Sequence, residues 1–138
     1  MSTRPLHQQF ALKVLILFLI ETLLNFFLPL SIIFLVTSYM AVYFVFAGAV
    51  ILLIYKNIKI GWYVFVLYLI LNLIFGATTL SMIYRNLIQY SDANWGGYLT
   101  FIIPTIPLIF YLAALRISLS KENRDYFKII LRSKNNLK

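Results

Sequence analysis

Residues 10–55 read FALKVLILFLIETLLNFFLPLSIIFLVTSYMAVYFVFAGAVILLIY, an apolar stretch whose only charged residues are Lys13 and Glu21. One helical membrane crossing takes about 20 residues, so the stretch is long enough for two crossings joined by a tight turn. This stretch therefore predicts a helical membrane protein that crosses the bilayer more than once.

The turn between the first two crossings has two possible positions. Residues 29–33, which include Pro29, divide the stretch evenly. Thr37 and Ser38 are more polar, but a turn there leaves a short second helix. We expect the turn at residues 29–33.

Composition excludes a soluble enzyme and a disordered chain. Of the 138 residues, 62% are apolar and 12% are charged, whereas a soluble domain has about half its residues apolar and about a quarter charged. The rest of the chain adds two apolar stretches, at 60–84 and 98–117, separated by a polar segment at 85–97. The predicted fold is all-α: a four-transmembrane-helix bundle over residues 1–117, followed by a basic tail at 118–138. Its predicted spans are about 10–29, 33–55, 60–84 and 98–117.

Basic residues predict the orientation. With four crossings, both termini and the loop at 56–59 lie on one side, and that side holds eleven of the twelve basic residues. Arg85 is the exception. By the positive-inside rule, we expect a multi-pass protein of the cytoplasmic membrane with both termini in the cytoplasm.

The tail has the pattern of an amphipathic helix. One arc of the helical wheel holds Leu119, Tyr126, Phe127, Ile129 and Ile130, and the opposite arc holds Lys121, Arg124, Asp125, Lys128 and Arg132. This pattern predicts an interfacial helix whose four basic residues contact anionic inner-leaflet lipids. Its role is either a topology anchor or a docking helix for a cytoplasmic partner. We expect no nucleic-acid partner, because the net charge of +8 follows from topology.

Several kinds of site lack the residues they need. The chain has no cysteine and one histidine, His7, so thiol chemistry, a catalytic triad and a histidine zinc site are excluded. It also has no glycine-rich phosphate loop. We therefore expect no enzyme activity, no metal and no cofactor.

Polar residues within the predicted spans form one candidate site. Glu21 lies eleven residues after Phe10, about 16 Å along a helix and close to the bilayer midplane. Counted in the same way, Tyr43 and Asn72 reach a similar depth in their spans. Asn25 shares the face of Glu21, and Tyr111 lies on the polar face of the fourth span. The candidate residues are Glu21, Asn25, Tyr43, Asn72 and Tyr111. Asn72 belongs to a helical stripe that also holds Tyr68, Gly76 and Thr79.

No basic residue of the predicted spans lies at the depth of Glu21. Because desolvation disfavours the charged form, we expect Glu21 to be neutral and to donate a hydrogen bond to Asn72, Tyr43 or a carbonyl freed by proline in the fourth span. Near Tyr43, the small residues Ala47, Gly48 and Ala49 predict close approach of another helix.

Two functions follow from these features. Polar groups inside a bundle commonly hold helices together, which favours a non-enzymatic partner, regulatory or immunity-like subunit. An intramembrane acid also marks ion and proton pathways, which favours an oligomeric proton- or cation-coupled transporter or channel that uses Glu21. In Glu21 and the number of spans, the chain resembles the small multidrug resistance exporters, but its eleven-to-one charge bias and basic tail depart from that family.

Because the chain contains no cysteine, the orientation is testable with single cysteines and a membrane-impermeant maleimide. We expect the Asp92→Cys variant to react in intact cells and the Lys56→Cys variant to react only after permeabilisation. Labelling of Lys56→Cys in intact cells would contradict the predicted orientation.

Overall fold

The computed structural model describes residues 4–27, 40–89 and 95–127, and these are almost entirely helical. Four long helices are α1 (Leu6–Phe27), α2 (Met40–Tyr55), α3 (Lys59–Gln89) and α4 (Trp95–Ser118). A short helix, α5, covers residues 121–127. The described part of the chain contains no strand, which confirms the all-α prediction.

Two of these helices are long and apolar enough to cross a membrane. The qualifying stretches are Leu6–Leu24 in α1 and Lys59–Asn86 in α3. The apolar stretches Ala41–Tyr55 and Thr105–Ser118 are shorter over the described residues. Length and apolarity thus meet the requirement for two crossings in the described chain, not for the four predicted. The predicted turn at 29–33 lies outside the described residues.

The turn between α2 and α3 fixes these helices as close antiparallel neighbours. Asn57 adopts the left-handed conformation, with φ of 60°, which asparagine tolerates better than most residues. The Asn57 amide donates to the Ile54 carbonyl at 2.9 Å, and the Ile58 amide donates to the Leu53 carbonyl at 2.8 Å. This pair of bonds is the Schellman arrangement that satisfies carbonyls at a helix end.

Consecutive helices pack against each other: α1 on α2, α2 on α3 and α3 on α4. Their inward faces supply aromatic and small side chains, while many leucine and isoleucine side chains face outward. The buried apolar residues of the four long helices are Phe10, Ala11, Val14, Phe18, Tyr43, Ala47, Val50, Ile54, Trp62, Phe65, Tyr68, Leu69, Tyr111 and Ala114. The core therefore lies along a common axis between the helices.

The helix ends differ from the predicted spans. The α3 helix continues to Gln89, whereas the sequence pattern ended the third span at Tyr84. Residues 85–89 contain neither glycine nor proline, so polarity alone does not end the helix there. The α4 helix passes through Pro104 and Pro107.

The α5 helix packs against the bundle more closely than the interfacial prediction implies. Phe127 is 1% exposed, and its ring lies 5.8 Å from that of Phe10 and 5.4 Å from that of Trp62. Tyr126 accompanies it inward, whereas Leu119, from the same predicted apolar arc, is 40% exposed. Phe127 therefore belongs to the core, because its ring packs against those of Phe10 and Trp62.

The basic arc of the tail is described in part. Lys121 and Arg124 are exposed, as the predicted contact with lipid or a partner requires. Lys128, Arg132 and the remaining apolar positions lie outside the described residues.

Two glycines test the packing of the helices. A Cβ atom on Gly61 would lie 2.7 Å from Leu53 Cβ and 2.9 Å from the Ile54 main-chain nitrogen. We expect Gly61→Ala to lower the free energy of unfolding in detergent by about 1–3 kcal/mol through overpacking.

The matched control is Gly48→Ala, because a Cβ on Gly48 meets no atom of the described residues within 4 Å. Alanine favours helix over glycine by up to about 1 kcal/mol, so we expect this variant to be neutral or more stable. Equal destabilisation by both variants would contradict the close α2–α3 approach.

Candidate functional site

One carboxyl group, that of Glu21, accepts hydrogen bonds from three tyrosine hydroxyls. Tyr68 and Tyr111 each donate to Oε1 at 2.5 Å, and Tyr43 donates to Oε2 at 3.0 Å. Glu21 is 3% exposed, and the three tyrosines are between 2% and 4% exposed. We call these four residues the carboxyl–tyrosine cluster.

Each long helix contributes one member of the carboxyl–tyrosine cluster. Glu21 comes from α1, Tyr43 from α2, Tyr68 from α3 and Tyr111 from α4. Tyrosine suits this position because its ring packs in an apolar core while its hydroxyl carries the hydrogen bond. A single buried group therefore links all four long helices.

Aromatic rings close the cluster on one side. Phe18 lies one turn before Glu21, and its ring centroid is 5.9 Å from those of both Tyr43 and Tyr68. It also lies 5.5 Å from the ring of Phe65. These contacts hold the tyrosine rings in place and exclude water from the carboxyl.

The hydroxyl of Tyr43 has a second acceptor within reach. Its Oη lies 3.2 Å from the Phe18 carbonyl oxygen, which also accepts a 2.7 Å hydrogen bond from Thr22 Oγ1. The single hydroxyl proton of Tyr43 points either to Glu21 or to this carbonyl. The cluster thus holds one hydroxyl with two alternative acceptors.

The predicted site residues divide into three groups. The structure brings Glu21, Tyr43 and Tyr111 into direct contact. Asn72 is fully buried, and its Nδ2 donates to the main-chain carbonyl of Tyr68 at 2.8 Å, so it supports the helix turn that carries Tyr68. The side chain of Asn25 lies outside the described residues.

The sequence pattern placed Tyr68 on the polar stripe of the third span but not in the candidate site. Depth counted in residues along the third span favours Asn72, which lies twelve residues after Ile60. The tyrosine side chain is longer, and the structure shows that it reaches the carboxyl from one turn earlier. The spacing of four residues between Tyr68 and Asn72 was the available signal.

The small residues of α2 do not all serve helix contact. Ala47 is 6% exposed and lies in the core, as close approach of another helix requires. No described residue of another helix lies close to Gly48, so the expected close approach at this residue does not occur among the described helices.

A second polar group lies at the end of the bundle where α5 packs. Tyr126 donates to Asn57 Oδ1 at 3.1 Å, and its Oη lies 3.0 Å from His7 Nδ1. Trp62 Nε1 donates to the Ser118 carbonyl at 3.1 Å. His7, the single histidine, thus joins α1 to the tail.

The chemistry of the carboxyl–tyrosine cluster is that of a closed hydrogen-bonded group. No buried side-chain polar atom in the described chain lacks a hydrogen-bond partner. Within the same residues, no group of three histidine or acidic side chains is placed to hold a metal ion. A groove of about 390 Å³ exists elsewhere, between α1 and α2, and no member of the cluster lines it.

Comparison with known protein families, with curated proteins and with solved structures gives no match to this chain.

The coupling between Glu21 and its tyrosines is testable by a double-mutant cycle. We expect Tyr111→Phe to lower the free energy of unfolding by about 0.6 kcal/mol, the average for an interhelical hydrogen bond in a membrane protein, and by at most about 1.7 kcal/mol. In a Glu21→Leu background the hydroxyl has lost its acceptor, so the same substitution becomes neutral or stabilising.

The control is Tyr63→Phe, because Tyr63 is 46% exposed and we expect no change in either background. An equal cost of Tyr111→Phe with and without Glu21 would show that the hydrogen bond contributes nothing to the bundle.

Proposed function

We propose that the chain is an integral protein of the cytoplasmic membrane, with four crossings and both termini in the cytoplasm. Outward-facing apolar side chains on all four long helices support this arrangement. Leu23 is 63% exposed, Val45 73%, Met82 67% and Ile109 66%. In water such surfaces destabilise a fold, whereas lipid tails solvate them.

Within this arrangement, we propose a non-enzymatic role as a partner, regulatory or immunity-like subunit. This proposal rests on the hydrogen bonds of Glu21. Its two carboxyl oxygens accept from tyrosines of the other three long helices. A substrate that bound this carboxyl would have to displace tyrosines that hold the bundle together. This geometry favours a structural role for the acid and leaves the outer surfaces to act on other molecules.

The packing of the tail supports the same role. Phe127 is buried between α1 and α3, so α5 forms part of the bundle surface. Lys121, Glu122 and Arg124 are exposed on it. A small, rigid and charged end of this kind suits recognition by a cytoplasmic segment of a partner.

A second candidate is an oligomeric proton- or cation-coupled transporter or channel that uses Glu21. One observation favours it: Tyr43 Oη lies 3.0 Å from Glu21 Oε2 and 3.2 Å from the Phe18 carbonyl. If Oε2 gains a proton, it donates to Tyr43, whose own proton then turns to the carbonyl. The cluster accommodates both protonation states without moving a heavy atom, as a proton-binding site requires.

Proton flux into liposomes under an imposed pH gradient separates the two candidates. For the subunit role, we expect the wild type to leave the gradient as stable as in protein-free liposomes. For the transporter role, the wild type dissipates the gradient, Glu21→Gln abolishes the flux, and Glu122→Gln preserves it. Glu122 is the matched control because it is the chain's other glutamate and is exposed.

The subunit role is tested directly by purification of the chain from native membranes in mild detergent. We expect one protein to co-purify in constant ratio and to stay bound through size-exclusion chromatography. Recovery of the chain alone, together with a Glu21-dependent proton flux, would overturn the subunit role.

A further inference from the structure

A groove between α1 and α2 carries an inference beyond the proposed role. It is lined by Arg4, Gln8, Ala11, Leu12, Leu15, Ile51 and Tyr55, and its volume is about 390 Å³. Ala11 is 3% exposed and forms the floor. Larger side chains flank it, so the small size of Ala11 creates the groove.

The groove has a polar end and an apolar end. Arg4 precedes α1, Gln8 lies in the first turn of α1, and Tyr55 is the last residue of α2 and lines the groove with them. Arg4 and the neighbouring Lys56 are exposed, so this end is positively charged. Farther along α1, the lining consists of Ala11, Leu12 and Leu15.

The groove runs from the headgroup side of the bilayer into the apolar part of α1. Arg4 precedes the first residue of α1, Leu6, and Leu15 lies five residues after Phe10, about 8 Å along the helix. Half of the hydrocarbon core of a bilayer is about 15 Å. If Phe10 lies at the edge of the hydrocarbon core, as the predicted first span requires, the basic end of the groove lies among the lipid headgroups and its apolar end lies inside the same leaflet.

We propose that this groove binds one anionic phospholipid, with its phosphate at Arg4 and an acyl chain along Ala11, Leu12 and Leu15. The groove presents a cation first, then hydrogen-bonding groups and then an apolar surface. A phospholipid has the matching order, from its charged headgroup to its acyl chains. The guanidinium of Arg4 recognises the phosphate by charge-assisted hydrogen bonds. This site is distinct from the basic arc of the tail, and it rests on the proposed membrane orientation.

Native mass spectrometry of the purified, delipidated full-length chain tests the proposal. The probes are phosphatidylglycerol and phosphatidylcholine with identical acyl chains. We expect the wild type to retain one phosphatidylglycerol per chain, with a preference of about five-fold over phosphatidylcholine, the effect of one basic residue near an anionic surface. We expect Arg4→Gln to remove this preference.

Arg116→Gln is the matched control, because Arg116 is an exposed cation in the last turn of α4 that does not line the groove. We expect it to keep the preference for phosphatidylglycerol. A second variant, Ala11→Leu, fills the floor and is expected to lower retention of both lipids. Since Arg4 is exposed, Arg4→Gln decides the outcome even if Ala11→Leu fails to fold.

The proposal would be overturned if the wild type retained both lipids equally or if Arg4→Gln and Arg116→Gln had equal effects. Occupation of the groove by a second copy of the chain would also overturn it. Alkaline carbonate extraction of the same cells separates this failure from failure of the proposed membrane arrangement. A chain that stays in the membrane but selects no lipid contradicts the groove alone, whereas a chain released by carbonate contradicts the membrane arrangement.

Discussion

A carboxyl group removed from water needs hydrogen-bond partners within the protein, and the packing of the bundle supplies them to Glu21. Its partners are hydroxyls of Tyr43, Tyr68 and Tyr111, one from each of the other long helices. Loss of α1 leaves the three tyrosine hydroxyls without their acceptor, and loss of any other long helix removes a donor from the carboxyl, which is costly in an apolar medium. Hydrogen bonding therefore specifies which helices assemble, while aromatic packing around Phe18 specifies their spacing.

Two sets of contacts close one end of the described bundle. Near residues 55–61, a Schellman turn and the close approach of Gly61 to α2 hold α2 and α3 together. At the same end, Phe127 fills the space between Phe10 and Trp62, and Tyr126 links His7 to Asn57. The tail thus completes the core of the bundle, and its exposed basic residues are presented from a fixed surface.

Much of this arrangement follows from sequence pattern, and the rest depends on side-chain reach and packing. Depth along the helix, counted in residues, places Glu21 and Tyr43 in one layer, and the polar face of the fourth span adds Tyr111; the structure brings the three into contact. The same count favoured Asn72 over Tyr68 because it ignored the length of the tyrosine side chain.

Tertiary contacts determine which side chains are buried where the sequence pattern and the structure differ. A helical wheel sorts the tail into two arcs, but it does not show that Phe10 and Trp62 receive Phe127 while Leu119 is exposed. Small residues predict close helix contact in general; packing determines that Gly61 makes it and that no described residue of another helix lies close to Gly48.

One buried glutamate, Glu21, is held by tyrosines of three other helices. The chain contains two glutamates, Glu21 and Glu122, so magic-angle-spinning NMR with ¹³C at glutamate Cδ and tyrosine Cζ isolates this contact. We expect through-space cross-peaks from one glutamate carboxyl to three tyrosine rings, all of them absent in Glu21→Gln. A glutamate spectrum without tyrosine contacts in membranes would contradict it.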